Sequence, residues 1–146
     1  GNNMANSLIV GGLMAGMQVS AVCPEGCEPS RTVLEYAKAY GDKFTLSTDP
    51  KAGAQGADVV YTDAWISTGS EEEQLLRRRH FRGYQVNEEL LALAKPDCMV
   101  LHCLPARKGE EIAVETFERH ADEIFEETEN RLHAQKAVLA ILMGGR

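Results

Sequence analysis

The most informative part of this sequence is the run Cys98-Met99-Val100-Leu101-His102-Cys103-Leu104-Pro105. Residues 98–101 are apolar without the alternation of a half-exposed strand, a pattern typical of a strand that is covered on both faces. Strands of this kind occur in parallel sheets with helices on each side. The run therefore predicts a buried parallel strand that is followed directly by polar and conformationally restricted residues.

Helical patterns and short apolar runs alternate on both sides of this strand, which is the element order of a parallel sheet with crossover helices. Further strands are predicted at 18–23, 44–47 and 59–62, with a last candidate at Ile124-Phe125. Helices are predicted at 4–15, at 30–40 with Pro29 in the first helical position, after Asp49-Pro50, within the polar segment 67–83, and at 87–94, 115–120 and 128–143. The predicted fold class is α/β, with an open, mostly parallel sheet and helices on both faces.

The opening residues predict one gap in this sheet. Gly1-Asn2-Asn3 is the kind of turn that normally follows a strand into a helix, and no strand precedes it in this sequence. We therefore expect the sheet to lack its first strand. The length of 146 residues suits a single domain with a core of its own.

Composition argues against several classes of protein. The hydrophobic fraction of 44% and the charged fraction of 25% are those of an ordinary globular protein. The formal net charge of −7 repels polyanions and argues against nucleic-acid binding. No apolar run reaches the length of a membrane span, and no secretory signal pattern opens the chain. We therefore expect a cytoplasmic protein without a membrane partner.

The cysteines are Cys23, Cys27, Cys98 and Cys103. Reduced thiols are the default in a cytosolic protein. Cys23 and Cys27 have the spacing of the first half of a zinc site, but no second ligand pair follows at close spacing. We therefore expect no metal site.

Polar side chains follow the predicted strands at the edge where open parallel sheets bind their ligands. The residues that the fold would bring to this edge are Asn2, Asn3, Asp63, Ser67, His102, Cys103, Leu104 and Pro105. Each type also has an ordinary structural explanation, since aspartate stabilises loops, a strand-end cysteine is usually an inert apolar residue, and asparagine caps helices. Their convergence from three parts of the sequence favours a functional site.

Arg131 gives a separate argument. If Thr128 caps the last helix, Arg131 lies in the first turn, where a cation opposes the helix dipole. Such a locally unfavourable choice often marks a functional position, and a guanidinium at a helix start suits an anion. The alternative is surface pairing with Glu126, Glu127 or Glu129, which is common and weak.

Four segments stand in a characteristic order: Gly1-Asn2-Asn3 with Asn6-Ser7, Thr62-Asp63-Ala64-Trp65-Ile66-Ser67-Thr68-Gly69, His102-Cys103-Leu104-Pro105, and Glu129-Asn130-Arg131-Leu132-His133. Together they resemble the second, amino-acid-binding domain of the aspartate/ornithine carbamoyltransferase family, in its ornithine type. The resemblance extends to about Gly144 and implies a Rossmann-like three-layer sandwich. It also implies transfer of the carbamoyl group from carbamoyl phosphate to the side-chain amine of ornithine, which gives citrulline and phosphate.

The resemblance implies binding roles at the matched positions. Asn3, Asp63 and Ser67 would hold the α-amino, α-carboxylate and side-chain amine regions of ornithine. Thr68 would contribute its backbone to the same contacts, and His102 belongs to the same binding group. No metal or organic cofactor is needed for this reaction.

Three residues carry the implied catalytic roles, namely Cys103, Asp63 and Arg131. Cys103 would lie near the reacting amine, beside Asp63. Leu104 would offer its carbonyl oxygen to the carbamoyl nitrogen. Arg131 would face the carbamoyl oxygen and the phosphate.

The chain departs from the family pattern in two places. Thr68 stands where the family usually has Met. The Ser-Thr-Arg-Thr-Arg segment, which binds phosphate in the family's first domain, is absent. We therefore expect residues 1–146 to be the ornithine-binding half of an enzyme whose N-terminal carbamoyl-phosphate domain is missing here. The family also implies a homotrimer, built mostly by that missing domain.

Several alternatives stay open. One is a carbamoyltransferase for putrescine, an acylated ornithine or aspartate, of which aspartate fits the loop at 63–69 least well. Another is a noncatalytic amino-acid-binding or assembly module with the same fold. A generic nucleotide-binding α/β domain is disfavoured, because no Gly-x-Gly-x-x-Gly turn occurs in the sequence.

Overall fold

A computed structural model describes residues 1–66 and 71–144 of the chain. The helices are α1 Asn3–Met14, α2 Arg31–Lys38, α3 Pro50–Ala54, α4 Glu71–His80, α5 Glu88–Leu91, α6 Val114–Arg119 and α7 Ala121–Met143, with a 3-10 turn at Gly41–Lys43. The strands are β1 Val19–Val22, β2 Phe44–Ser47, β3 Val59–Thr62 and β4 Met99–His102. All four of these strands lie within one residue of their predicted bounds.

Polar side chains determine where the first helices begin. Asn2 caps α1 and Asp49 caps α3, each through a side-chain oxygen that accepts a hydrogen bond from a backbone N–H of the first turn. Ser30 does the same for α2. The prediction that Pro29 occupies the first helical position is therefore wrong, because the cap lies after it and the helix begins at Arg31.

The strands form two parallel pairs. β1 pairs with β2 from Val19 opposite Phe44, and β3 pairs with β4 up to Thr62 opposite His102. Because the helices between these strands act as crossovers, β3 and β4 run in the same direction and their carboxyl ends lie side by side at one end of the sheet. The predicted parallel α/β class is confirmed.

The sheet is interrupted between the two pairs. Among the described residues no strand pairing joins β1 to β3, and a cavity of about 730 Å³ is lined by both. Ile9 and Gly12 of α1 also line this cavity. A parallel strand leading into α1 would lie beside β1 on the edge that β2 does not occupy. The interruption coincides with the place expected for a strand that leads into α1.

Each strand pair has its own apolar core. The cluster beside β1 and β2 is formed by Ile9, Leu13 and Ala37, with Val19, Ala21 and Phe44 packed against it. The cluster beside β3 and β4 is formed by Val86, Val100, Ile112, Phe117 and Ile124. The second cluster fixes α6 and the start of α7 against β4, and so determines which side chains reach the end of that strand.

The predicted strand at Ile124-Phe125 is wrong, because the chain from Ala121 to Met143 is one continuous helix. Ile124 is fully buried in the core, whereas Phe125 is 55% exposed. A strand at this place would have used the free edge of β4. Carboxylates of α7 occupy that edge instead, since Glu123 accepts a hydrogen bond from the N–H of Val100 at 2.8 Å.

The longer helix also corrects two predictions about its start. Thr128 is not the cap, because its hydroxyl donates to the Ile124 carbonyl at 3.1 Å from within the helix. Arg131 lies ten residues beyond Ala121, and the dipole acts mainly on the first turn. Arg131 therefore does not oppose the helix dipole, and that prediction is wrong.

The second half of α7 is exposed along its whole length. Its exposed apolar side chains are Leu132, Val138, Leu139, Ile141, Leu142 and Met143. No helix within residues 1–66 and 71–144 is long and apolar enough to cross a membrane. These side chains therefore form an apolar surface on an otherwise polar helix, and we call residues 132–143 the distal α7 surface.

Candidate active site at the strand ends

Asp63 joins three segments of the chain at the carboxyl end of β3. The side-chain amide of Asn2 donates to Asp63 Oδ2 at 2.7 Å, and the thiol of Cys103 donates to Asp63 Oδ1 at 3.0 Å. The oxygen of the same Asn2 side chain caps α1, so its NH2 group is oriented toward the carboxylate. The start of α1 and the ends of β3 and β4 therefore converge on this one carboxylate.

Cys103 follows β4 and is 5% exposed. Burial, together with the hydrogen bond to Asp63 and the charge of that carboxylate, raises the pKa of Cys103 to about 12. Cysteines that act as nucleophiles have a lowered pKa, usually beside a cation or a helix N-terminus. At neutral pH Cys103 is consequently a neutral hydrogen-bond donor, and this does not suit attack on a substrate.

Tyr61 and Glu127 form a second hydrogen-bonded pair behind Asp63 and Cys103. The Tyr61 hydroxyl donates to Glu127 Oε1 at 2.6 Å, and Glu127 Oε2 accepts from the backbone N–H of His102 at 3.0 Å. Burial, followed by the hydrogen bond to Glu127, raises the pKa of Tyr61 well above its ordinary value, so the hydroxyl keeps its proton. Glu127 thereby connects α7 to the ends of both β3 and β4.

Arg131 of α7 reaches the carboxyl end of β4. Its Nη1 donates to the backbone carbonyl oxygen of Cys103 at 3.2 Å. The alternative pairing with Glu126, Glu127 or Glu129 is not among the ion pairs formed within the described parts of the chain. A guanidinium carries five N–H donors, so the bond to Cys103 leaves others for an anionic ligand.

His102 supports the site from inside the protein. Its side chain is fully buried, with Nε2 at 3.0 Å from Glu111 Oε1. Its Nδ1 accepts a hydrogen bond from the backbone N–H of Leu104 at 2.9 Å. Both ring nitrogens thus have protein partners, and the binding role of His102 stays a prediction.

The loop that follows Asp63 is anchored by aromatic contact. Trp65 stacks on Phe81, with the ring centroids 5.5 Å apart and an interplanar angle of 27°. This contact ties the start of the loop to the residue just after α4. The predicted binding residues Ser67 and Thr68 come next in the chain and lie outside the described residues.

Asn3 is the predicted substrate contact, but it is Asn2 that contacts Asp63. Asn3 is the first residue of α1 and is exposed, so its binding role remains a prediction. Tyr61 and Glu127 were missed altogether. Tyr61 occupies an ordinary strand position, and Glu127 stands in an acidic run that resembles a solvated surface, so neither carried a sequence signal.

One cluster has the composition of a cation site. Asp63, His102 and Cys103 each offer a ligand atom, and these atoms lie within 4.8 Å of one another. A cation would have to displace an existing hydrogen bond of the His102 ring and remove the proton of a thiol whose pKa is raised. The donor set therefore fits a hydrogen-bonded cluster better than a metal centre.

Comparison with known proteins identifies the family to which this chain is similar. Residues 1–142 match the family described as aspartate/ornithine carbamoyltransferase, Asp/Orn binding domain. An ornithine carbamoyltransferase of Methanosarcina acetivorans is 53% identical over 143 residues, which cover 98% of this chain and 47% of that protein.

Solved structures agree with this match. The anabolic ornithine carbamoyltransferase of Campylobacter jejuni is 38% identical with a TM-score of 0.92, over 99% of this chain and 49% of that one. The ornithine carbamoyltransferase of Pyrococcus furiosus is 45% identical with a TM-score of 0.90, over 100% and 48% of the two chains. The chain thus spans about half the length of the relatives it matches. It belongs to the aspartate/ornithine carbamoyltransferase family, and it matches the Asp/Orn binding domain of that family.

Proposed function

We propose that this domain supplies the ornithine half of an active site that transfers the carbamoyl group of carbamoyl phosphate to the side-chain amine of ornithine. The observation that carries the proposal is the Asp63 carboxylate, which is hydrogen-bonded to Asn2 and Cys103 at one sheet edge. A carboxylate with neutral donors beside it suits an amino group, which it can bind and orient. Membership of the family supports the reaction class.

The reaction needs an amine that is oriented and has lost a proton. The ammonium group of ornithine first gives one proton to solvent. Its neutral nitrogen then forms a bond to the carbamoyl carbon, the bond from that carbon to the phosphate oxygen breaks, and the departing phosphate accepts the second proton, which the nitrogen releases. Asp63 holds the amine toward the carbamoyl carbon, and Cys103 keeps Asp63 in place. Much of the rate then comes from holding two substrates in line.

Cys103 acts in this proposal through position and electrostatics. The attacking group is the amine of the substrate, so no covalent intermediate on sulfur is required. A thiol with a pKa near 12 is protonated at neutral pH, which agrees with a donor to Asp63. Its neutral state also avoids placing a second negative charge beside the carboxylate.

Arg131 is the group proposed for the carbamoyl oxygen and the phosphate. Negative charge develops on both during the transfer, and a fixed cation stabilises it most there. The hydrogen bond from Arg131 to the carbonyl oxygen of Cys103 holds the guanidinium near the reacting end of the site. Asp63, which contacts the side chain of Cys103, would thus bind the amine substrate. Arg131, which contacts the main chain of Cys103, would bind carbamoyl phosphate.

The other half of the site belongs to a second domain in this proposal. The relatives are about twice as long as this chain, and a carbamoyl-phosphate domain would account for the difference. The distal α7 surface supports such a partner, because contiguous exposed apolar side chains on a single helix mark an interaction surface. We further propose that the same domain builds a homotrimer.

Citrulline formation tests the proposal. The full-length enzyme should form citrulline from ornithine and carbamoyl phosphate, and residues 1–146 alone should form none, because no phosphate-binding half is present. Asp63→Asn in the full-length enzyme should lower kcat/KM by about 10² or more, since it removes the charge that orients the amine. Asp97→Asn, at an exposed position in the turn before β4, is the matched control and should have no effect.

Three outcomes would contradict the proposal in different ways. Rapid transfer by residues 1–146 alone would exclude a half-site. A full-length enzyme that prefers putrescine, an acylated ornithine or aspartate would leave only the carbamoyltransferase class. An enzyme that binds ornithine but transfers to none of these amines would instead be a noncatalytic binding module.

A further inference from the structure

A wholly buried pair of ionisable side chains lies directly behind the strand-end residues. His102 and Glu111 both have 0% side-chain exposure, and His102 Nε2 lies 3.0 Å from Glu111 Oε1. Glu111 Oε1 also accepts a hydrogen bond from the backbone N–H of Arg107 at 2.5 Å. Buried carboxylates are rare unless they are paired, and this one bonds to the His102 ring and to the main chain at Arg107. Its position therefore calls for a structural or positioning role.

The hydrogen bonds determine which nitrogen of His102 carries the proton. The backbone N–H of Leu104 donates to Nδ1 at 2.9 Å, so Nδ1 must be the unprotonated nitrogen. The neutral ring then carries its proton on Nε2 and donates it to Glu111. A proton on Nδ1 would point at the N–H of Leu104 and break that bond. Glu111 consequently selects the one tautomer that can hold Leu104.

Leu104 needs such support because of its backbone conformation. Its φ is +53°, in the left-handed region that non-glycine residues rarely adopt. A leucine persists there only when the surrounding structure determines it, and such residues cluster at functional sites. The contact from the His102 ring to the N–H two residues later resembles an Asx turn, in which a side chain closes a local turn of the main chain.

We propose that Glu111 is a positioning residue, which acts through the Nε2–H tautomer of His102 to fix the main chain at Cys103 and Leu104. This inference rests on the proposed function, in which Cys103 keeps Asp63 in place, and on the expectation from the family resemblance that Leu104 offers its carbonyl oxygen to the carbamoyl nitrogen. Glu111 itself lies in the loop between β4 and α6, where its carboxylate also fixes the N–H of Arg107. It therefore joins that loop to the end of β4.

Two variants at one position separate this role from simple packing. Glu111→Gln keeps an oxygen that can accept from Nε2–H, whereas Glu111→Leu fills the space without an acceptor. In the full-length enzyme we expect Glu111→Leu to lower kcat by about 10²-fold, with a smaller change in the KM for ornithine, because misplaced reacting groups slow chemistry more than binding. Glu111→Gln should restore most of that loss.

The tautomer is measured independently of activity. Nitrogen-15 NMR of the histidine side chains of residues 1–146, near neutral pH, should show His102 as the neutral Nε2–H form in the wild type and in Glu111→Gln. Its signal is assigned by its absence in His102→Asn. In Glu111→Leu the Nδ1–H tautomer should become populated, because the acceptor that holds the Nε2 proton is gone.

Two results overturn the inference. One is a wild-type His102 that is protonated on Nδ1, and the other is a folded Glu111→Leu enzyme with unchanged kcat. If Glu111→Leu does not fold, the kcat of Glu111→Gln is the deciding measurement. A Glu111→Gln enzyme whose kcat falls to the background rate would also overturn the inference. A wild-type enzyme that does not carbamoylate ornithine would refute the proposed function, while the NMR measurement would still test the link from Glu111 to Leu104.

Discussion

The surroundings of Cys103 strongly raise the pKa of its thiol. Its pKa is raised from 9.0 to about 12, first by burial and then by Asp63. A shift of this size lowers the thiolate fraction at neutral pH by about 10³, and the thiolate is the reactive form. We therefore predict that iodoacetamide modifies Cys103 in the folded protein about 10³ times more slowly than a free cysteine, and that the rate rises as the pH approaches 12. Peptide mass spectrometry measures the modification.

Asp63→Asn is the control for that prediction. Removing the carboxylate charge should lower the pKa of Cys103 and make the modification faster at a given pH, although burial still slows it. A Cys103 that reacts as fast as a free thiol in the native protein would show that burial and Asp63 do not hold the proton. Modification measured in denaturant gives the reference rate for the same residue.

Tyr61 provides a second test at the level of one side chain. Tyr61→Phe removes the hydroxyl that donates to Glu127 at 2.6 Å and leaves the ring in place. We predict that it lowers the free energy of unfolding by about 1–2 kcal/mol, because the lost hydrogen bond is to a charged, partly buried acceptor. Urea denaturation measures this change. Tyr36→Phe, at a position that is 37% exposed, should change stability much less.

The contact between α7 and β4 is the least usual feature at the level of elements. Glu123 and Glu127 lie one helical turn apart, and they accept hydrogen bonds from the N–H groups of Val100 and His102, two residues apart along β4. The helix thus satisfies the strand edge with side chains, which also prevents that edge from pairing with another chain.

Hydrogen exchange tests this edge contact residue by residue. Glu123→Ala should speed exchange of the Val100 amide, and Glu127→Ala that of the His102 amide, each by about tenfold, which corresponds to the loss of one hydrogen bond. Glu126→Ala is the matched control, since Glu126 is exposed on the same helix. Equal effects of all three variants would indicate general destabilisation of α7 instead.

At the scale of the whole molecule, the distal α7 surface is an apolar surface that no other part of residues 1–66 and 71–144 covers. Leu139 is 55% exposed and Ile141 is 78% exposed. We predict that residues 1–146 self-associate through this surface, and that Leu139→Glu with Ile141→Glu shifts the protein to monomer without unfolding it. Sedimentation velocity and circular dichroism measure the two effects. Self-association that survives both substitutions would place the contact elsewhere, for example at the open edges of β1 and β3.

The sequence alone determined the fold class, the bounds of four strands and the convergence of Asp63 and Cys103, because hydrophobic runs and parallel topology are local or general properties. It could not assign α7, since Ile124-Phe125 has the composition of a strand and only packing of Ile124 against β4 decides for helix. The sequence also could not reveal the roles of Glu111 and Glu127. Glu127 bonds to the N–H of His102, 25 residues away, and Glu111 bonds to a ring that is buried only after folding. Whether an acidic residue is solvated or holds an active-site strand depends on which main-chain groups the fold brings within hydrogen-bonding distance, and that is a property of the tertiary structure.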